Sequence, residues 1–145
     1  MNNTHVITVT GRQRLGSDTD RQQFRTTGRR LEKDRALLVT YDEIQEDRSR
    51  THVSLKLSEG RAVMIRSGAA QTRMEFDPGR TTYCNYDTGA GILPLEIRTQ
   101  TVSHLTNPRE ERIRLAYALY YDGGVLYHTE VTIRLVPIAA ENSGG

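Results

Sequence analysis

Two charged residues sit where apolar ones belong. Glu43 follows Leu37, Val39 and Tyr41 at a spacing of two, and Arg66 follows Ala62 and Met64 in the same way. A charge on the inner face of a sheet must be paired or solvated. Glu43 and Arg66 could therefore form an internal ion pair that fixes a polar network. Alternatively, the planar fork of Arg66 could hold an anionic head group such as a carboxylate. Glu43 as a general base would need a partner acid, and none is visible, so no catalytic residue is assigned and an enzyme is not expected.

A second polar group emerges from the stripe Leu93, Leu95, Ile97, Thr99, Thr101, which keeps its period of two while turning polar. Thr99 and Thr101 read as inward-facing, either at a wet barrel rim or lining a cavity where hydroxyls orient a ligand. Tyr117 and Tyr127 fall on inward positions of the last two strands and add polar tips to apolar bodies. Arg66, Glu43, Thr99, Tyr117 and Tyr127 are thus the candidate ligand-binding residues.

Other chemistry is thin. No Gly-x-Ser-x-Gly elbow, His-Glu-x-x-His helix or phosphate loop occurs. His128 and Glu130 share a strand face but lack a third ligand, so no metal site and no cofactor is expected. Cys84 has no local basic partner and reads as a buried, inert thiol. His5, His52 and His104 read as surface or rim positions.

Short alternating segments must position these residues. "THVITVT" (4–10), "RQQFRTTGRR" (21–30), "ALLVTYDEIQ" (36–45), "THVSLKLS" (51–58) and "RAVMIRS" (61–67) are followed by "QTRMEFD" (71–77) and "RTTYCNYDT" (80–88). The strand at 92–105, "ERIRLAYALYY" (111–121) and "VLYHTEVTIRLVPI" (125–138) complete about ten strands. Turns fall at Glu59-Gly60, Asp77-Pro78-Gly79, Asn107-Pro108 and Asp122-Gly123-Gly124. Connections this short join only antiparallel neighbours, so the chain is a meander, and closure into a barrel removes its edges. Gly28 suggests a bulge or bend, Gly68 a turn. Gly91, with Gly89 as a second candidate, should take positive φ or occupy a place where a Cβ would clash. In the strand at 61–67, either Val63 and Ile65 or Ala62, Met64 and Arg66 could face inward.

At 145 residues with 36% hydrophobic residues, the chain fits one domain with one wet sheet face. The barrel is expected over 1–138, with the small polar stretch 139–145 a disordered tail. The single cysteine, the lack of a long apolar run and the polar start make a cytoplasmic protein without membrane association the expectation. Net charge is +2, but residues 1–35 carry eight Arg or Lys and four Asp or Glu. With no aromatic platform among those arginines, a solvated outer face is the simpler reading, and nucleic acid is not an expected partner.

Gly28, Tyr41-Asp42-Glu43, Arg66-Ser67-Gly68, Met74-Glu75-Phe76, Tyr86-Asp87-Thr88 with Gly91, Thr99 and the strands around Tyr117 together resemble the YwiB-like bacterial proteins in order and spacing. The likeness runs from about residue 6 to 136. It departs at the hairpin after Gly28, where Asp34-Arg35 stands in place of an Asn-Gly-like turn. The resemblance implies an all-β, single antiparallel meander barrel of eight to ten strands, similar to lipocalins and other calycins. It also implies that Met64 and Arg66 face inward. It brings no activity with it. The functional expectation is a non-enzymatic barrel that binds a small, amphiphilic or anionic molecule in its interior. The competing reading is a protein or RNA interaction module that uses the basic N-terminal hairpin, with Arg12, Arg14, Arg25 and Arg29.

Overall fold

The computed structural model describes residues 3–68, 71–87 and 89–138; the expected tail at 139–145 lies outside them. Ten strands follow one another: β1 (His5–Leu15), β2 (Asp18–Lys33), β3 (Ala36–Ile44), β4 (Arg50–Ser58), β5 (Arg61–Ser67), β6 (Gln71–Phe76), β7 (Thr81–Asp87), β8 (Ile92–Thr106), β9 (Glu111–Tyr121) and β10 (Gly124–Pro137). All lie in one antiparallel sheet of order β6-β5-β4-β3-β2-β1-β10-β9-β8-β7. Every consecutive pair from β1 to β6 and from β7 to β10 is a hairpin ladder, and β1 pairs with β10. The barrel is nearly closed. Its seam lies between β6 and β7, where the Thr82 hydroxyl donates to the Glu75 carbonyl at 2.5 Å.

The turns use the chemistry their residues allow. Asp34 and Arg35 (φ 53° and 64°), Glu59 and Gly60 (55° and 75°), and Asp122 and Gly123 (50° and 81°) each place two residues in the left-handed region. That is the primed turn matching strand twist. The Asp34-Arg35 hairpin is therefore as tight as the others, although Arg35 has a Cβ to accommodate. At Asp77-Pro78-Gly79 the Arg80 N–H donates to the Asp77 carbonyl at 3.0 Å. Pro78 presets φ as expected, whereas Gly79 does not take positive φ.

Three glycines differ from one another. At Gly28 a Cβ would lie 2.2 Å from the Thr40 carbonyl oxygen and 2.6 Å from Ile7 Cδ1. The ladder runs unbroken through Gly28, so it is not a bulge. It is the residue at which β2 changes partner, facing His5 on β1 and Tyr41 on β3. At Gly68 a Cβ would come within 3.1 Å of the Arg50 carbonyl oxygen. Gly91 meets neither expectation: its φ is not positive, and nothing lies within 4 Å of an added Cβ. Gly89, at φ 83°, makes the corner, and its N–H donates to Asp87 Oδ1 at 2.9 Å.

The waist of the barrel is filled. Ile7, Val39, Val53, Leu55, Phe76, Ile97, Ile113, Leu115, Ile133 and Leu135 are all essentially inaccessible. Burying each such side chain contributes roughly 1.5–3 kcal/mol. Met64 is buried on the same β5 face as Ala62, with Arg66 next in that alternation, while Val63 and Ile65 are only partly covered. Polar inward groups therefore gather at the two ends. One end collects the β2–β3, β4–β5, β6–β7 and β8–β9 turns, and the other the remaining turns.

Candidate functional site

The first polar end is built around Arg66. Tyr41, Val53, Arg66 and Thr72 form one inward row across β3 to β6, with Glu43 one step nearer the mouth. Arg66 Nη2 donates to Glu43 Oε2. The Glu43 side chain is 13% exposed and that of Arg66 34%, so the acid is sheltered and the guanidinium reaches the mouth. Thr99, Tyr117 and Thr129 form the facing row across β8, β9 and β10. Thr99 (9% exposed) and Thr129 (5%) bury hydroxyls that have no hydrogen-bond partner among the described residues. Burial pushes the Tyr117 hydroxyl up to about 12, with the charge of Arg66 opposing. Burial likewise raises Tyr41, and the Glu43 carboxylate adds to it. Both phenols stay neutral at ordinary pH and can donate. The Tyr117 ring packs on Phe76 at 4.6 Å between centroids.

Of the five candidate residues, Thr99 and Tyr117 are direct neighbours, and Arg66 and Glu43 are bonded to one another. Tyr127 stands apart, exposed at the mouth opposite Leu119. Thr101 is a correction. The register slips between Thr99 and Thr101, so Gln100 is an extra residue. Beyond it Val102 faces Leu115 and His104 faces Ile113, both inward partners. The bulge turns Thr101 outward and His104 inward.

That reversal completes the second polar end. Arg30 continues the inward face of β2 beyond Gly28, opposite Val39, and Glu111 is opposite Leu135. Arg30 Nη2 donates to Glu111 Oε2 at 3.1 Å and to Glu32 Oε1 at 2.5 Å. Its Nε lies against Glu111 Oε1 in ion-pair contact, without the alignment of a hydrogen bond. His104 Nε2 is 2.7 Å from Glu111 Oε2. Burial works against the Glu111 carboxylate, but bonds from His104 and Arg30 prevail and hold it below its usual range. Burial lowers His5 nearby, assisted by Arg30 and opposed by Glu111.

A recess of about 560 Å³ opens at this end, lined by the β2–β3 turn (Glu32 to Leu37), the β4–β5 turn (Leu57 to Arg61) and Val102 to His104. A smaller one, about 270 Å³, lies between Tyr83, Pro94, Glu96 and Tyr120. Neither is lined by Arg66, Glu43, Thr99, Tyr117 or Tyr127. Among the described residues no three His, Cys, Asp or Glu side chains are grouped to hold a metal. Glu130 accepts from Arg114 Nη2 at 3.2 Å, and burial raises the Cys84 thiol. No helix among the described residues is long and apolar enough to cross a membrane.

The sequence reading missed Arg30, His104 and Glu111. Glu111 was detectable, because it begins the odd-numbered face that continues through Ile113 and Leu115. Arg30 was hidden by the polar character of β2, and His104 by the bulge.

The fold places the chain among ten-stranded antiparallel β-barrels. Residues 7–133 match the model of the domain of unknown function DUF1934, and the chain belongs to that family. It is similar to the uncharacterized beta-barrel protein YwiB of Bacillus subtilis (strain 168), 30% identical over 98 residues that cover 68% of each chain. The crystal structure of YwiB from Bacillus subtilis has the same fold, with a TM-score of 0.81 at 23% identity over 93% of this chain and 92% of that one.

Proposed function

We propose that this barrel is a non-enzymatic binding protein that takes a small amphiphilic anion at one of its mouths. The observation that carries the reading is the 560 Å³ recess, a volume suited to a small ligand. Leu37, Leu57 and Val102 supply an apolar floor for a chain or ring. Glu32 is held by Arg30, and Glu59 by Arg61 at 2.9 Å, so Lys33, Arg35 and Asp34 are the remaining rim charges, positive in balance. His104 is fixed through Nε2 by Glu111, and in its imidazolium form its Nδ1–H is a donor for an anionic head group.

Calorimetric titration with dodecanoate tests this. Saturable binding is expected, abolished by Val102→Trp, which fills the recess. The double change Lys33→Glu, Arg35→Glu should weaken it at least about tenfold, ~1.4 kcal/mol. Equal binding of dodecylammonium would refute selection of an anion, and an unaffected Val102→Trp would refute the site.

The unpartnered hydroxyls of Thr99 and Thr129 support a second seat at the Arg66 end. There a short carboxylate would meet the guanidinium and the Tyr117 hydroxyl. Benzoate binding lost in Arg66→Met but retained in Val102→Trp would assign the ligand to that end.

A further inference from the structure

The outer face of the barrel gathers charge that the chain order disperses. On the ladder, Arg25 of β2, Thr8 of β1, Arg134 of β10, Arg112 of β9 and Leu105 of β8 form one outward row. The next holds Gln23, Thr10, Thr132, Arg114 and Ser103. The third holds Arg21, Arg12, Glu130, Ala116 and Thr101, and the fourth Thr19, Arg14, His128, Ala118 and Arg98. All eight arginines are exposed, and Glu130 is the single acid in these four rows. Glu96 and Glu110 bridge onto Arg98, Arg112 and Arg134, so the face keeps five positive charges in excess, and in a chain of net charge +2 the rest of the molecule is acidic. Of the arginines read from the hairpin, Arg12, Arg14 and Arg25 lie here, joined by Arg21, whereas Arg29 lies outside these rows; Arg98, Arg112, Arg114 and Arg134 reach the same face only through pairing.

We propose that this face of β2, β1, β10, β9 and β8 binds the phosphate backbone of nucleic acid. Salt bridges on the molecule engage Arg114 with Glu130, Arg98 with Glu96 at 2.6 Å, and Arg134 and Arg112 with Glu110. Arg12, Arg14 and Arg21 have no ion pair among the described residues, and they lie together, Arg12 directly opposite Arg21. The guanidinium fork fits phosphate oxygens bidentately. The interleaved hydroxyls of Thr8, Thr10, Thr132 and Ser103 are the neutral donors that backbone contacts also use. Five strands by four rows cover roughly 20 Å each way. A strand carrying one phosphate per ~3.4 Å places about six across it. Base reading is not built in: Tyr120, stacked under Arg98 at 4.0 Å, is the aromatic group beside these rows. Binding is therefore indifferent to sequence. An anionic bilayer would satisfy the charge, but Leu105 alone among these positions is a large apolar group able to enter a membrane interface.

Fluorescence anisotropy of the full chain with a labelled 20-base-pair RNA duplex tests the proposal. Binding near 1 µM is expected at 50 mM KCl, falling steeply to 200 mM with a log–log slope of about −4 to −5 for five neutralised phosphates. Arg12→Glu, Arg14→Glu, Arg21→Glu should weaken it more than tenfold and make the slope shallower by about 2.7. The same number of reversals elsewhere, at Arg50, Arg73 and Arg80, should weaken it far less. Arg12→Gln, Arg14→Gln, Arg21→Gln gives the same answer if the reversed variant does not fold by circular dichroism. No binding at 50 mM, or equal loss in both reversed triples, would overturn the proposal. So would tighter, Arg12-dependent association with phosphatidylserine vesicles in the same buffer.

Discussion

The two ends of the barrel solve the same electrostatic problem differently. At the Arg66 end one carboxylate, Glu43, has one cation, and the polar groups facing them are neutral phenols and hydroxyls. At the His104 end Glu111 is shared between Arg30 and His104, with His5 close enough to feel both charges. The first end is a single pair over a sealed waist, whereas the second is a branched network beside an open recess. A branched network can lose one member and keep its acid partnered. A single pair cannot. The end with spare partners is thus the one whose acid stays paired when a single cation is removed.

The sharpest break would come at Gly28, where β2 passes from one ladder to the next. Gly28→Ala drives a Cβ into a backbone carbonyl and Ile7, and should destabilise by about 3 kcal/mol, at the top of the overpacking range. Urea denaturation measures it, and a loss under about 1 kcal/mol would mean that the strand crossing can relax.

Removing each cation tests the contrast directly. Arg66→Met leaves Glu43 sheltered and alone, and should cost about 2–3 kcal/mol, less than a fully buried pair because Arg66 is partly exposed. Arg30→Met leaves Glu111 with His104 and should cost roughly 1 kcal/mol. Equal costs would erase the distinction between the ends.

Acid should act first on the His104 end. His5 has a lowered pKa in the fold, so the unfolded chain binds its proton more readily and stability declines as pH falls below the ordinary 6.5. The lowered carboxylate of Glu111 gives a contribution that is present above the ordinary 4.5 and lost as pH falls through its folded value. In melting curves from pH 8 to 3, His5→Gln should flatten the upper part of the slope and Glu111→Gln the lower. Unchanged slopes in both variants would place the acid sensitivity elsewhere.

The smallest effect is a gain. Arg35 holds φ 64° in the turn bounding the recess, a conformation glycine takes without strain. Arg35→Gly should raise stability by about 0.5–1 kcal/mol. A lower melting temperature would mean that the Arg35 side chain holds the turn by other contacts.

Sequence patterning made the ladder legible, because turn residues and alternation agree for nearly every strand. Glu43 and Arg66 stood out as charges in apolar stripes, and their bond is what such stripes require. The bulge at Gln100 was not legible: an inserted residue leaves the local alternation intact and only reverses its phase against β9. Thr101 was therefore misfaced, and although His104 reads as a rim position, its approach to Glu111 stayed hidden. Arg30 lies on a strand whose first half, Asp18 to Thr27, has a ladder on its β1 side only, so its polarity gave no inward signal. The outer arginine face was invisible for a different reason. Register, not spacing, brings Arg134 beside Arg112.

The position of the seam bears on how the chain folds. Eight of the nine ladders join strands adjacent in sequence and can form as soon as a hairpin turns. The pairing of β1 with β10 joins residues near opposite ends of the chain, His5 against Pro137. Closing a loop of that length costs roughly 4 kcal/mol of chain entropy before any contact compensates. Two half-sheets, β1 to β6 and β7 to β10, can thus assemble locally and meet along one slow ladder. Among the described residues the β6–β7 seam has no backbone ladder and is joined by a turn and by bonds such as that of Thr82 to Glu75, so it is where the two halves meet without pairing.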